Sequence, residues 1–191
     1  VRKIGILVGP KGRGSNMAAI HEACRSGRLK AEVALVAAPS ADAPALHRAR
    51  EAGLAVRAIP YDTPDFGAAL ADAFGGCEVL CLAGYLRLVP PEVLRAFPDR
   101  VLNIHPALLP KFGGKGMYGL RVHQAVIEAG ESESGCTVHL VNERYDEGRT
   151  LVQRRVPVLP GDTAETLAAR VLEQEHLAYP EAIELVLASL D

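Results

Sequence analysis

Asn103 and His105 are the two residues in this sequence best placed to do chemistry, because they sit two apart at the end of an apolar run. Val101 and Leu102 read as the end of a buried strand, and Pro106 stops its hydrogen-bond ladder. Residues two apart on a strand share a face, so both side chains can look into one crevice while Ile104 packs the other way. The amide can donate a hydrogen bond to a developing oxyanion. The imidazole can donate a second, or carry a proton near neutral pH. An isolated Asn-x-His has a plainer reading, a turn-capping asparagine beside a satisfied histidine. Its surroundings decide which reading holds.

Lys3 to Gly9 reads as a buried parallel strand, and Gly9-Pro-Lys-Gly-Arg-Gly-Ser-Asn16 turns the chain into a helix from near Ser15 to Arg25, ended by Gly27. A strand, a glycine-rich turn and a helix N-terminus converge free backbone N–H groups on one point, which suits a phosphate. Gly9 and Gly14 have the spacing of a nucleotide triphosphate loop, but Ser15 stands where that motif requires lysine. The dinucleotide pattern also fails, since Gly12 and Gly14 are followed by Met17 and no acidic residue ends the second strand. A monophosphate fits what remains.

Strand-like runs at 32–38, 54–59 and 77–84 alternate with helical stretches at 43–52 and 64–74, and a short helix runs up to Phe97. The pattern predicts an α/β fold built on a doubly wound, mostly parallel sheet. Ligands bind such sheets at the carboxyl ends of the strands, and Gly9, Gly84 and Asn103 all fall there. Residues 111–119 carry too many glycines to hold one shape and read as a lid beside His105, before a helix from Leu120 to Ala129. Strands at 134–141 and 149–158 flank a turn at 142–148, and a last helix spans 163–187 with Pro180 expected to kink or divide it.

At 191 residues the chain suits one domain, with a phosphate-binding half over 1–100 and a catalytic half over 101–191. No apolar stretch approaches the roughly 20 residues of a membrane span, and no basic stretch followed by an apolar core opens the sequence, so a cytoplasmic protein is expected. The net charge of -2 gives no electrostatic case for a nucleic-acid partner. Cys24, Cys77, Cys81 and Cys136 form no CxxC pair and read as reduced, buried thiols. The six histidines show no metal-ligand spacing, so no metal is expected.

The run Asn103-Ile-His-Pro-Ala-Leu-Leu-Pro110, with Gly84-Tyr-Leu-Arg-Leu88 upstream and Asp146 downstream, resembles the folate-dependent formyltransferases, and the likeness covers nearly the whole chain. It implies a formyltransferase-like, Rossmann-type fold and the transfer of a formyl group from 10-formyltetrahydrofolate to the amine of glycinamide ribonucleotide, a step of purine synthesis. It also implies roles for particular residues. Asn103 and protonated His105 would stabilise the oxyanion, Asp146 would be the essential carboxylate, and His139 would support it. Gly14, Ser15, Asn16, Ile104, Pro106 and Glu175 would hold the phosphate and ribose. Leu86, Arg87, Leu88, Val89, Leu102, Asn142, Glu143, Arg144 and Tyr145 would hold the folate, with backbone groups at Arg87 and Val89 reading the pterin.

Two relatives share this set of residues. Formyltetrahydrofolate deformylases usually carry an extra N-terminal regulatory domain, whereas this sequence opens on its first strand. Methionyl-tRNA formyltransferases typically have Trp-Arg-Gly-Ala-Ala-Pro where this sequence has Phe112-Gly-Gly-Lys-Gly-Met117. A non-catalytic phosphometabolite sensor is the alternative from another class. One departure concerns the folate's glutamate tail: the family often meets it with an arginine near the third helix, and Thr63-Pro-Asp-Phe-Gly67 stands here. The sequence leaves monomer and homodimer open.

Overall fold

A computed structural model describes all residues, 1–191. The chain forms β1 (Arg2–Val8), α1 (Ser15–Arg25), β2 (Ala31–Ala38), α2 (Pro44–Glu51), β3 (Val56–Ala58), α3 (Phe66–Ala73), β4 (Val79–Ala83), α4 (Pro91–Ala96), β5 (Val101–His105), α5 (Leu120–Glu128), β6 (Glu133–Leu140), β7 (Thr150–Pro157) and α6 (Ala164–Ala188). The seven strands make one sheet in the order β3-β2-β1-β4-β5-β6-β7. Strands β1 to β5 pair in parallel, while β6 runs antiparallel to β5 and β7 antiparallel to β6. The strand order reverses between β1 and β4. That switch point is where an open α/β sheet leaves a crevice.

Two cores cover the two faces of the sheet, and strand alternation decides which residue enters which. Ile4, Ile6 and Val8 of β1 join the larger core with α1, α2, α5 and α6, while Leu7 joins the smaller core with α3 and α4. At the switch point the ends of β1 and β4 pass so closely that a Cβ on Gly9 would overlap the Gly84 carbonyl oxygen. Gly84 itself turns out of β4 with φ 78°.

Helix α6 is not divided at Pro180 but runs unbroken from Ala164 to Ala188. Pro180 removes one backbone hydrogen bond, a cost of about 3 kcal/mol in an isolated helix. Here tertiary contacts offset that cost. Tyr179, Ala178, Ala182 and Ile183 are fully buried in the larger core, and the Tyr179 hydroxyl lies 2.6 Å from the Leu82 carbonyl and 3.0 Å from that of Leu102. The helix is thereby tied to β4 and β5 just below the crevice. At its start Thr163 and Thr166 form a capping box. No helix is long and apolar enough to cross a membrane.

Candidate active site

Alternation along β5 sends Leu102 and Ile104 to the larger core and Val101 to the smaller, so Asn103 and His105 follow the side of Val101. Strand β6 lies beside it with His139 opposite Asn103 and Thr137 opposite His105. Four polar side chains therefore share one face. Thr137 is buried and fastens the loop after β5: its hydroxyl donates to the Ala107 carbonyl at 2.7 Å and accepts the Leu109 N–H at 3.1 Å. The Gln153 amide donates to that hydroxyl and to the Leu109 carbonyl, each at 3.0 Å.

Asp146 enters from the β6–β7 turn in a left-handed conformation, with φ 56°. Its Oδ2 accepts the Gly114 N–H at 3.0 Å and lies 3.5 Å from His105 Nδ1, while Oδ1 lies 3.5 Å from His139 Nε2. One carboxylate thus bridges two imidazoles and the glycine-rich segment. His139 Nδ1 lies 3.0 Å from the Leu140 carbonyl, and its Nε2 lies 3.4 Å from the Asn103 amide nitrogen.

Burial pushes the Asp146 carboxyl up, but its contact with His139, the nearby His105 ring and the Gly114 N–H outweigh burial and hold it below the usual carboxylate range. For His105 the balance goes the other way. Burial pulls the imidazole down more than Asp146 and the Phe112 carbonyl raise it. Both ring nitrogens face oxygen, Nδ1 towards Asp146 and Nε2 towards the Phe112 carbonyl at 2.7 Å, so only an imidazolium could donate to both. Burial therefore opposes the protonated His105 that the resemblance implies, while the two facing oxygens favour it.

His123 of α5 sits behind this cluster, 4% exposed, with a buried Nδ1 that has no partner. Burial, then the nearby His105, lowers its imidazole to about 4. Between the ordinary histidine value near 6.5 and about 4, the unfolded chain takes up a proton that the folded chain refuses, so stability is lost as pH falls. The loss from His123 approaches about 3 kcal/mol. Urea unfolding at pH 7 and pH 4.5 is expected to show a marked fall for the wild type and a smaller fall for His123→Leu; equal falls would contradict this account.

A crevice of about 510 Å³ opens at the carboxyl ends of β1, β4 and β5 and brings most of the expected residues together. Asn103, His105, Asp146 and His139 line it with Ile104, Pro106, Asn16 and Glu175. Leu86, Arg87, Leu88 and Val89 line it from the β4–α4 loop, and Asn142, Arg144 and Tyr145 from the β6–β7 turn. Residues Leu86 to Val89 make no hydrogen bond through their backbone, which leaves four peptide groups free to read a ligand. Four expected residues are not in the crevice wall. Leu102 buries its side chain completely in the larger core, one strand position out of phase with Asn103, and Glu143 projects from the turn into solvent. Gly14 and Ser15 stand beside the crevice rather than in its wall.

Helix α1 begins at that point with no side-chain cap, and the N–H groups of Ser15, Asn16 and Met17 have no backbone acceptor. Three free donors at a helix start make an anion site. Next to them the Asn16 amide donates to Glu175 Oε1 at 3.1 Å, and burial raises the Glu175 carboxyl more than that bond lowers it. Groups the sequence did not single out complete the surroundings of His105 and Asp146: the Phe112 carbonyl, the Gly114 N–H, and Thr137 with Gln153. Thr137 precedes His139 by two on a strand, a spacing that marks a shared face. Nothing local marked Phe112, whose φ of 59° is set by the turn it occupies.

Residues 3–183 match the formyl transferase family. The chain belongs to that family. Similar proteins include the chloroplastic phosphoribosylglycinamide formyltransferase of Arabidopsis thaliana, 45% identical over 189 residues that make up 95% of this chain and 64% of that one. The phosphoribosylglycinamide formyltransferase of Haemophilus influenzae is 37% identical over 96% of this chain and 86% of its own. Among solved structures, glycinamide ribonucleotide transformylase 1 of Symbiobacterium toebii superposes with a TM-score of 0.90 at 44% identity, over 99% of this formyl transferase and 89% of that chain. A formyltetrahydrofolate deformylase of Pseudomonas syringae shares the fold at 21% identity and a TM-score of 0.84, over 98% of this chain and 62% of its own. This formyl transferase spans 64% and 61% of the length of its Arabidopsis and Vigna unguiculata relatives.

Proposed function

We propose that this formyl transferase moves a formyl group from 10-formyltetrahydrofolate to the primary amine of glycinamide ribonucleotide. The observation that carries the reading is a single crevice with an anion site at one part of its rim, free peptide groups at another, and Asn103, His105 and Asp146 between them. The names of the relatives, phosphoribosylglycinamide formyltransferases and a glycinamide ribonucleotide transformylase at up to 46% identity, support the same acceptor. Gly14, Ser15 and Asn16 hold the phosphate through the start of α1, and Glu175 accepts the ribose hydroxyls. Leu86 to Val89, with Asn142, Arg144 and Tyr145, hold the pterin.

The amine attacks the formyl carbon and a C–N bond forms as the carbonyl oxygen gains negative charge. Asn103 donates to that oxygen through its amide. His105 donates its Nε2–H, which movement of the 111–119 segment releases from the Phe112 carbonyl. Asp146, through a water, takes the amine proton and delivers it to N10 as the bond from the formyl carbon to N10 breaks. Products are the formylated amide and tetrahydrofolate, and no bond to the protein forms. Holding both substrates in one crevice supplies the proximity that solution lacks.

Turnover of 10-formyltetrahydrofolate with and without glycinamide ribonucleotide tests the reading. Tetrahydrofolate is expected to form only when the nucleotide is present. Formate released without it would make water the acceptor and place the chain functionally with the deformylases.

A further inference from the structure

Arg87 is the crevice-lining cation with the most unusual setting. Its guanidinium carbon stands 3.4 Å from the centroid of the Tyr61 ring, which itself packs against Phe66 at 5.6 Å and Tyr85 at 6.4 Å. Tyr61 belongs to the segment before α3 and is half-buried against the smaller core. The aromatic shelf holds one flat face of the guanidinium. No carboxylate pairs with Arg87 and no acceptor meets its N–H groups. An arginine stacked on a ring keeps its in-plane edge open, and that edge matches a carboxylate in two parallel hydrogen bonds. The other residues from Pro60 to Gly67 include no basic side chain, so Arg87 has no cationic neighbour there to share such a role.

We propose that Tyr61 is a positioning residue: it holds the Arg87 side chain flat at the crevice so that its free edge takes a carboxylate of the formyl donor's glutamyl tail. The inference rests on the folate reading above. Arg87 then serves the donor twice, with its peptide group at the pterin and its guanidinium at the far end. A flexible arginine would lose more rotamer freedom on binding, and Tyr61 removes that cost in advance.

The test is steady-state kinetics of Tyr61→Leu, Tyr61→Phe, Arg87→Ala and the Tyr61→Leu/Arg87→Ala double variant, each with 10-formyltetrahydrofolate and with 10-formyltetrahydropteroate, which lacks the glutamate. Tyr61→Leu is expected to raise KM for the folate donor about 3- to 30-fold, with a smaller change in kcat and none in KM for the nucleotide. Tyr61→Phe keeps the ring and should restore the affinity. The double variant should be no worse than Arg87→Ala, and the pteroate donor should not distinguish the variants. Additive losses, an equal penalty on the pteroate donor, or a rise in nucleotide KM would overturn the role of Tyr61 while leaving the transferase standing. A wild type that turns over neither donor would overturn both.

Discussion

Replacing Asp146 with asparagine is expected to lower kcat by about 10²–10⁴, the range supplied by a positioned acid-base group. The substitution is nearly isosteric, and its amide oxygen can still accept the Gly114 N–H now bonded to Oδ2 at 3.0 Å. What it cannot do is take a proton from the attacking amine. It also removes the charge that raises His105 against burial, so that imidazole moves further towards its neutral form. Substrate KM values should change far less than kcat, because Asp146 meets neither the anion site at α1 nor the peptide groups of Leu86 to Val89. Steady-state kinetics with a parallel thermal melt would check this. A kcat within tenfold of wild type, from a protein that melts normally, would remove Asp146 from the mechanism.

The second large effect is expected at His105. Loss of one oxyanion donor costs about 10²–10³ in rate, and His105→Ala should fall in that range. Asn103→Ala should cost a comparable factor, and the double variant should lose less than the product of the two, since both donors serve one oxygen. His105→Ala also leaves the buried partner of the Phe112 carbonyl missing, so residues 111–119 should loosen. Hydrogen exchange at Gly113 to Gly116 would report that loosening, and rates multiplying cleanly in the double variant would argue that the two residues act on different atoms.

Strand chemistry makes much of this arrangement legible in the sequence. Apolar runs ending in Gly9, Gly84 and Asn103 marked three carboxyl ends of one sheet, and the two-residue spacing of Asn103 and His105 placed both on one face. The same rule gives the true position of Leu102, which alternation puts opposite Asn103 and therefore in the core. Pro180 misled for a different reason: helix propensity is local, and here Tyr179 and its buried neighbours hold the helix across the proline. Contacts that join distant segments left no local trace. Tyr61 stacks on Arg87 across 26 positions, and the Phe112 carbonyl meets His105 only because the turn between them folds back. The downward pull of burial on the His105 imidazole was equally hidden, since it depends on how the folded chain covers that ring.

The central claim is that the formyl carbon passes directly from N10 to the amine within the crevice, with no stop on the protein. A rapid-quench experiment with donor labelled at the formyl carbon tests it most directly. The expected result is protein free of label at every time point, with label appearing in the formylated nucleotide at the rate it leaves the donor. Labelled protein, or labelled formate preceding the product, would contradict the account.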